Sequence, residues 1–392
     1  MKDIFFVIAS FSAIFLNSNL SVLLGYQNNV TTVAFLPLAL FLLGKLLQGK
    51  ILFFDKKNRK SLHVLFLSIL LLVFKLTDGQ YDMFKTILLF FFIPYTFSIY
   101  LETFSLSQKK KLQKIIILLL IVECILSLYE RVTYTVLLAN EDTYSAINRA
   151  GDTWSFRASA LFGHPLGNAM LVSVINIFIL SSDLPFIKRT IFFILALVAL
   201  LCFNERGNII ITLIMSIPFF VSSFKKGNKK FKTIFILIGV PLFISSILYI
   251  AQSDLGGRLF NEKSGKHDNS TMARLEALNS FAYLNSDELF WGSNNLSDNV
   301  ASRMNLLAIE NGIIAFLLDY GIILGIPLLI ILISFQWDKL SIYPIWNKWI
   351  ILLLFYGIGI TNPHLSNPLQ WFMFICTYYA FRPIKNIIYV RK

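Results

Sequence analysis

From residue 4 to residue 381 the chain is a succession of apolar runs, most of them long enough to cross about 30 Å of hydrocarbon as a helix. In lipid every backbone amide and carbonyl must find its partner within the protein, and a helix supplies those partners within the segment itself. The runs lie at 4–24, 30–48, 62–77, 84–100, 113–130, 157–181, 186–203, 207–224, 232–250, 307–335, 345–361 and 366–381. They predict an all-α polytopic membrane protein with about twelve transmembrane helices, forming one integral membrane domain over 1–392. Only one polar stretch is long, residues 251–306, and it is expected as a large extracytoplasmic loop within that domain. Composition excludes a water-soluble globule: 56% of residues are hydrophobic and 15% charged, with a mean hydropathy of +0.68, where soluble domains carry about a quarter charged residues. The first run has no small-residue cleavage site and is followed by many others, so it is expected as a retained helix and not a signal peptide.

The distribution of Lys and Arg sets the orientation. With the N-terminus in the cytoplasm, 24 of the 35 Lys and Arg residues fall in segments on that side, while 17 of the 22 acidic residues lie outside or within spans. This predicts a multi-pass protein of the cell membrane with both termini cytoplasmic. The net charge of +13 is then a topology signal whose partners are membrane lipids with anionic headgroups, and no nucleic-acid partner is expected. Cys124, Cys202 and Cys376 all fall in apolar spans without metal-ligand spacing, so neither disulfides nor a metal are indicated. A P-loop, a Gly-rich dinucleotide turn and a D-x-D carboxylate pair are all missing from the sequence. That argues against ATP-driven transport, sugar-nucleotide donors and a cofactor, and predicts a substrate that arrives within the membrane or outside it.

Three outer segments hold the unusual residues. At the entry to the sixth span, Arg157 precedes Gly163, His164, Pro165, Gly167 and Asn168. A helix start broken by Gly and Pro leaves amides unpaired, which with an arginine suits an anionic oxygen; Arg157 serves equally as a headgroup anchor. Between the seventh and eighth spans stands Asn204-Glu205-Arg206-Gly207-Asn208, a tight hairpin with Arg206 at a helix N-terminus. The plain alternative there is an interfacial anchor paired with Glu205. In the third segment Arg274, Ala277, Leu278 and Phe281 recur at helical spacing and predict a short amphipathic helix. Glu276 lies beside them, and Trp291-Gly292 offers a ring either to a sugar or to the aromatic belt. Glu310 and Asn311 are expected to open a membrane helix that carries Asp319. Nine residues put Asp319 roughly 13.5 Å deeper and about 180° round the helix, so the two carboxylates cannot serve one substrate atom. A carboxylate within a span is costly unless partnered, which makes Asp319 a functional candidate or a brace for the Gly321, Gly325 and Pro327 break.

In this order and sidedness the motifs resemble the O-antigen ligase and Wzy-type polymerase superfamily, over roughly residues 150–335. The residues that carry the resemblance are Arg157 to Asn168, Arg206-Gly207, Arg274 with Glu276, Trp291-Gly292, and Glu310-Asn311 leading to Tyr320-Gly321. The resemblance implies a metal-independent glycosyltransferase whose donor is a glycan on undecaprenyl diphosphate and whose acceptor is a sugar hydroxyl outside the membrane. Arg157, Arg206 and Arg274 would bind and neutralise the diphosphate as leaving group. Glu310 stands where ligases of this superfamily carry His; that departure favours the polymerase branch, with Glu310 accepting the acceptor hydroxyl proton or orienting the hydroxyl. His164, Glu276, Trp291, Asn311 and Asp319 complete the expected substrate contacts. The expected function is therefore polymerisation of lipid-linked repeat units into a bacterial surface or capsular polysaccharide, with a flippase and a chain-length regulator as pathway partners. The alternatives are a ligase that moves finished glycan to another acceptor, and a lipid-linked oligosaccharide flippase. A transporter would spread charge through its spans and keep its outer loops short, and this chain does neither.

Overall fold

The computed structural model of the chain describes residues 2–16, 30–77, 79–138, 156–226, 274, 276–306, 308–362, 365 and 368–383. Among them all regular structure is helical. The helices are α1 (Lys2–Phe11, continued by a π-helical Ser12–Leu16), α2 (Val30–Leu47), α3 (Arg59–Thr77), α4 (Asp82–Ile87, a π-helical Leu88–Phe92, then Ile93–Leu101) and α5 (Leu106–Thr133). After them come α6 (Pro165–Ser181), α7 (Phe186–Phe203), α8 (Arg206–Lys226), α9 (Ser286–Trp291) and α10 (Leu296–Arg303). The last four are α11 (Gly312–Tyr320), α12 (Ile322–Lys339), α13 (Ile345–Ile360) and α14 (Pro368–Phe381).

Among the described residues six segments are long and apolar enough to cross a membrane: Lys56–Thr77, Met83–Leu101, Leu106–Thr133, Phe186–Phe203, Arg206–Ser223 and Ile322–Ile342. Shorter apolar helices occupy Ile4–Leu16, Val33–Leu47, Pro165–Ser181 and Ile345–Ile360. Two expected spans need correction. The run 157–181 becomes helical only at Pro165, whose fixed φ suits a first helical position, because Ala160 (φ 40°) and Gly163 (φ 71°) bend the preceding backbone out of the helical region. The run 307–335 breaks at Gly321 (φ 74°), which separates the nine-residue α11 from α12. The expected run 232–250 and the first 23 residues of the expected outer loop, 251–273, lie outside the described residues.

The chain forms two compact units, one of Met1–Leu119 with His267–Lys392 and one of Leu120–Lys266. In the second unit α6 is buried all round, from Pro165 to Leu180, and packs against α7 and α8. A helix apolar on every side belongs inside a bundle. The covering helices turn exposed isoleucines outward at helical spacing, Ile187, Ile191 and Ile194 on α7 and Ile210, Ile214 and Ile217 on α8. An apolar stripe of that kind faces lipid and not water.

In the first unit α3 packs on α4 and α12, and α14 packs on α4. Segments that their Lys and Arg content assigns to one side of the membrane meet there around Glu102, which follows α4. Its carboxylate accepts from Lys339 Nζ (2.5 Å), Tyr379 Oη (2.6 Å) and Arg382 Nη1 (3.0 Å). Lys339 also donates to the Lys57 carbonyl at 3.1 Å, and Lys109 donates to the Arg382 carbonyl. Burial pushes the Glu102 carboxyl up, but Lys339 and Arg382 outweigh it and hold the group below its ordinary 4.5. A depressed folded value means that the stabilisation is complete above about pH 4.5 and is lost as pH falls toward the folded value. Thermal melts in detergent from neutral to acid pH should show that loss in the native chain. Glu102→Gln leaves buried cations uncompensated, and should start about 3–5 kcal/mol less stable and lack that acid-dependent component. A native-like melt for this variant would remove Glu102 from the packing argument.

Candidate functional site

Each unit carries its own polar cluster. In the second unit it forms where α5 and α7 end and α6 and α8 begin. Near the end of α5, Glu130 accepts the backbone amides of Leu137 (3.0 Å), Ser159 (2.7 Å) and Ala160 (2.8 Å). Arg131 Nη1 donates to the Phe156 carbonyl at 2.6 Å, and Asn168 donates to the Ser159 carbonyl. These bonds satisfy a non-helical backbone that would be costly to bury bare. The fixed segment carries Arg157, which donates to Glu205 Oε2 at 2.8 Å and to the Phe203 carbonyl at 3.3 Å. Asn204 ends α7 in the left-handed region (φ 52°, ψ 42°), which turns the chain directly into α8. Thus Glu205 takes as partner an arginine 48 residues earlier in the chain. Arg206 is half-buried and is the first residue of α8, where the helix dipole adds positive potential. His164 is the half-buried N-cap of α6, and its side chain makes no capping bond.

In the first unit the residues from Ala277 onward form a small folded layer. Ala277–Tyr283 is a 3-10 helix, so the buried face is set by Ala277 and Ser280, three apart, while Leu278 points outward. Arg274 and Glu276 are α-helical, as expected, but from Ala277 the 3-10 turn replaces the expected amphipathic α-helix and leaves Leu278 off the buried face. α9 opens with a capping box between Asn285 and Glu288. Glu288 also receives both arms of Arg303, at 2.6 and 3.0 Å, and those bonds hold its carboxyl below the usual range. Ala277, Leu296, Val300, Ala301, Ile309, Ile314 and Leu318 close a common apolar core. That core ties the layer to α11 and positions the charged residues beside it.

Those residues are Arg274 and Glu310, three positions before Ala277 and one after Ile309. Arg274 Nε lies 3.4 Å from Glu310 Oε2, and the side chains are 29% and 25% exposed. Glu276 is half-buried next to them. Glu310 was expected to open a membrane helix; instead Asn311 is the N-cap, its Oδ1 accepting from Ile313 and Ile314 at 3.1 Å each, and Glu310 precedes it. The helix that follows is the short α11. The sequence therefore places the carboxylate correctly at a helix entrance but misjudges what it enters.

Asp319 is bound apart from Glu310. Its Oδ1 accepts the Ser297 amide at 3.0 Å, which satisfies an orphan donor in the first turn of α10. Trp291 stacks on Phe74 with ring centroids 4.3 Å apart, so one face of its ring is already covered. Beneath it the fully buried Lys75 donates to the carbonyls of Trp291 (2.5 Å) and Gly292 (2.7 Å) and caps the end of α9. Lys75 and Glu130 stand outside the motifs that point to the site in the sequence. Both had a visible signal, an ionisable residue inside or at the edge of an apolar run.

Chemically, the first-unit pair offers a carboxylate and a guanidinium side by side at the rim of an apolar core, able to handle a proton and an anionic oxygen. Among the described residues there is no group of three or more His, Cys, Asp or Glu side chains suited to a metal ion. Comparison with protein-family models and with curated proteins finds no match to this chain.

Proposed function

We propose that this protein is a membrane glycosyltransferase of twelve spans, with both termini cytoplasmic, that polymerises undecaprenyl-diphosphate-linked oligosaccharide repeats outside the membrane into a bacterial surface or capsular polysaccharide. The observation that carries this reading is the juxtaposition of Arg274 and Glu310, two residues on which the sequence resemblance rests and which lie 36 positions apart. In the proposed step an acceptor sugar hydroxyl attacks the anomeric carbon of the donor glycan. Its proton passes to the Glu310 carboxylate, and the bond from the anomeric carbon to the diphosphate oxygen breaks. The electron pair leaves with the diphosphate, whose charge Arg274 neutralises. The resemblance adds Arg206 and Arg157 as diphosphate ligands and His164, Glu276, Trp291, Asn311 and Asp319 as substrate contacts. Of these, Arg157 and Asp319 already serve packing bonds.

The test is elongation by the purified full chain in liposomes loaded with the lipid-linked repeat of its source cell. A ladder of lengthened lipid-linked glycan is expected. Arg274→Ala and Arg206→Ala should each abolish it without loss of folded protein, and the corresponding Lys variants should recover only part, since an ammonium lacks the planar two-point fork. Movement of the repeat across the bilayer without lengthening would overturn the reading in favour of a flippase. Transfer of whole glycan to a different acceptor would overturn it in favour of a ligase.

A further inference from the structure

Along α2 the exposed leucines Leu36, Leu40, Leu43 and Leu47 recur at i, i+4, i+7 and i+11. They form one stripe of the helix, of the kind that faces lipid on α7 and α8. The stripe does not stop where α2 does. Leu47 is the last helical residue, and beyond it Leu52 is exposed and Phe54 is 92% exposed. Two residues after Phe54 begins Lys56–Thr77, a segment long and apolar enough to cross a membrane. Residues 48–55 therefore join the end of one apolar helix to the start of another, and they present apolar side chains at the join.

Hydrogen bonds fix the backbone of this turn with its apolar tip outside. Gly49 (φ 64°) ends α2 in a Schellman motif, its amide donating to the Leu46 carbonyl at 2.9 Å and the Lys50 amide to the Lys45 carbonyl at 3.0 Å. Ile51 is buried. The buried Asn58 donates from Nδ2 to the Leu52 carbonyl and from its amide to the Asp55 carbonyl, both at 2.8 Å. Asp55 in turn accepts the Lys57 amide at 3.2 Å. Phe54 thus stands at the tip of a closed turn. Within residues 50–59, Lys50, Lys56, Lys57 and Arg59 are all exposed, against one acidic residue, Asp55. Water disfavours the bare ring, and neighbouring cations repel one another; a surface that offers acyl chain and negative charge together relieves both.

We infer that the turn between α2 and α3 is a binding site for anionic phospholipid: Leu52 and Phe54 enter the boundary of the acyl chains while Lys50, Lys56 and Lys57 hold the headgroup phosphate. The ligand is a lipid of the surrounding bilayer and not a free phosphate, because an inorganic ion leaves the apolar tip in water. In the proposed orientation the site selects anionic lipids of the cytoplasmic leaflet. It does not depend on the glycan chemistry proposed above.

Cys124, Cys202 and Cys376 are buried, so in Phe54→Cys a polar thiol-reactive fluorophore marks position 54. The labelled full chain is reconstituted in vesicles of phosphatidylcholine and phosphatidylglycerol at equal mole fraction, with one or the other lipid brominated on its acyl chains. Brominated lipid should quench the label. Brominated phosphatidylglycerol should do so about fivefold more effectively than brominated phosphatidylcholine, the worth of one lysine at an anionic surface. The preference should vanish when Lys50, Lys56 and Lys57 are all replaced by Gln, a change that leaves the backbone bonds of the turn in place, and should shrink at about 1 M salt. Inorganic phosphate at constant ionic strength should leave it intact; loss of the preference there would assign the lysines to free phosphate and overturn the lipid site. Leu52→Cys carries the label if the Phe54 variant does not fold. Quenching by aqueous iodide and not by brominated lipid would place the tip in water and overturn the site. Equal quenching by the two brominated lipids overturns it as a site for anionic lipid. Protection from iodide and from both brominated lipids would mean that protein, such as a second copy of the chain, covers the turn, and overturns it likewise.

Discussion

Glu310→Gln should leave single lipid-linked repeats where the native chain makes a ladder, with elongation reduced about 10²–10⁴-fold, the usual worth of a positioned general base. The amide keeps the shape of the carboxylate and its capacity to hydrogen-bond, but it cannot take the proton of the attacking hydroxyl. The fold gives little reason for the variant to unfold, because Asn311 caps α11 and the Ala277–Leu318 core holds the flanking backbone. A melting curve close to native should therefore accompany the lost activity. Glu310→Asp retains a base set back by one methylene and should keep part of the rate. If the Gln variant elongates at the native rate, Glu310 acts only as the partner of Arg274, and the base must be sought at Glu276 or His164.

Gly292→Ala should cost about 3 kcal/mol or more and deplete the folded protein, although it adds a single methyl group. A Cβ at this position would lie 2.4 Å from the Gly321 nitrogen, 2.6 Å from the Leu318 oxygen and 2.7 Å from the Asp319 oxygen. All three are backbone atoms that no side-chain rotation can move. Gly292 also sits at φ 62°, where an L-residue is strained in addition to being crowded. Gly321 meets the same interface from the other side, its Cβ falling 2.3 Å from the Trp291 carbonyl carbon, so Gly321→Ala should be comparably destabilising. The double variant should cost less than the sum of the two, because both separate one contact. Thermal unfolding in detergent, followed by monodispersity, measures all three. A Gly292→Ala protein that melts with the native chain would show that the two backbones can part without loss.

Local rules in the sequence carried much of this fold. Pro165, Pro185, Pro344 and Asn204 mark helix ends by their own backbone preferences, and the apolar runs mark most of the helices. The basic residues that the charge pattern groups together are linked in the fold: Lys339 and Arg382 bond Glu102, Lys339 also reaches the Lys57 carbonyl, and Lys109 reaches the Arg382 carbonyl. What was not legible depends on partners distant in sequence. The Arg157–Glu205 pair spans 48 positions, and Lys75 reaches the Trp291 carbonyl across 216. No periodicity encodes such bonds. The W-G and Y-G dipeptides were visible as motifs, yet their mutual contact, backbone against backbone, is not a property of either one. At Ala277–Tyr283 the apolar spacing fitted an α-helix and the chain adopted the tighter 3-10 turn, because packing of Ala277 and Ser280 selects a repeat of three.

The length of α13 bears on the lipid around it. Its 16 residues extend about 24 Å, while Trp346, Trp349, Leu353 and Ile360 along it are exposed. A hydrocarbon core of about 30 Å exceeds this helix by roughly 6 Å, which sets it among the shorter apolar helices and apart from the six long enough to cross. A bilayer that this helix crossed would have to compress by that hydrophobic mismatch, at a cost of fractions of a kcal/mol per Å, and shorter-chain lipids would lower that cost.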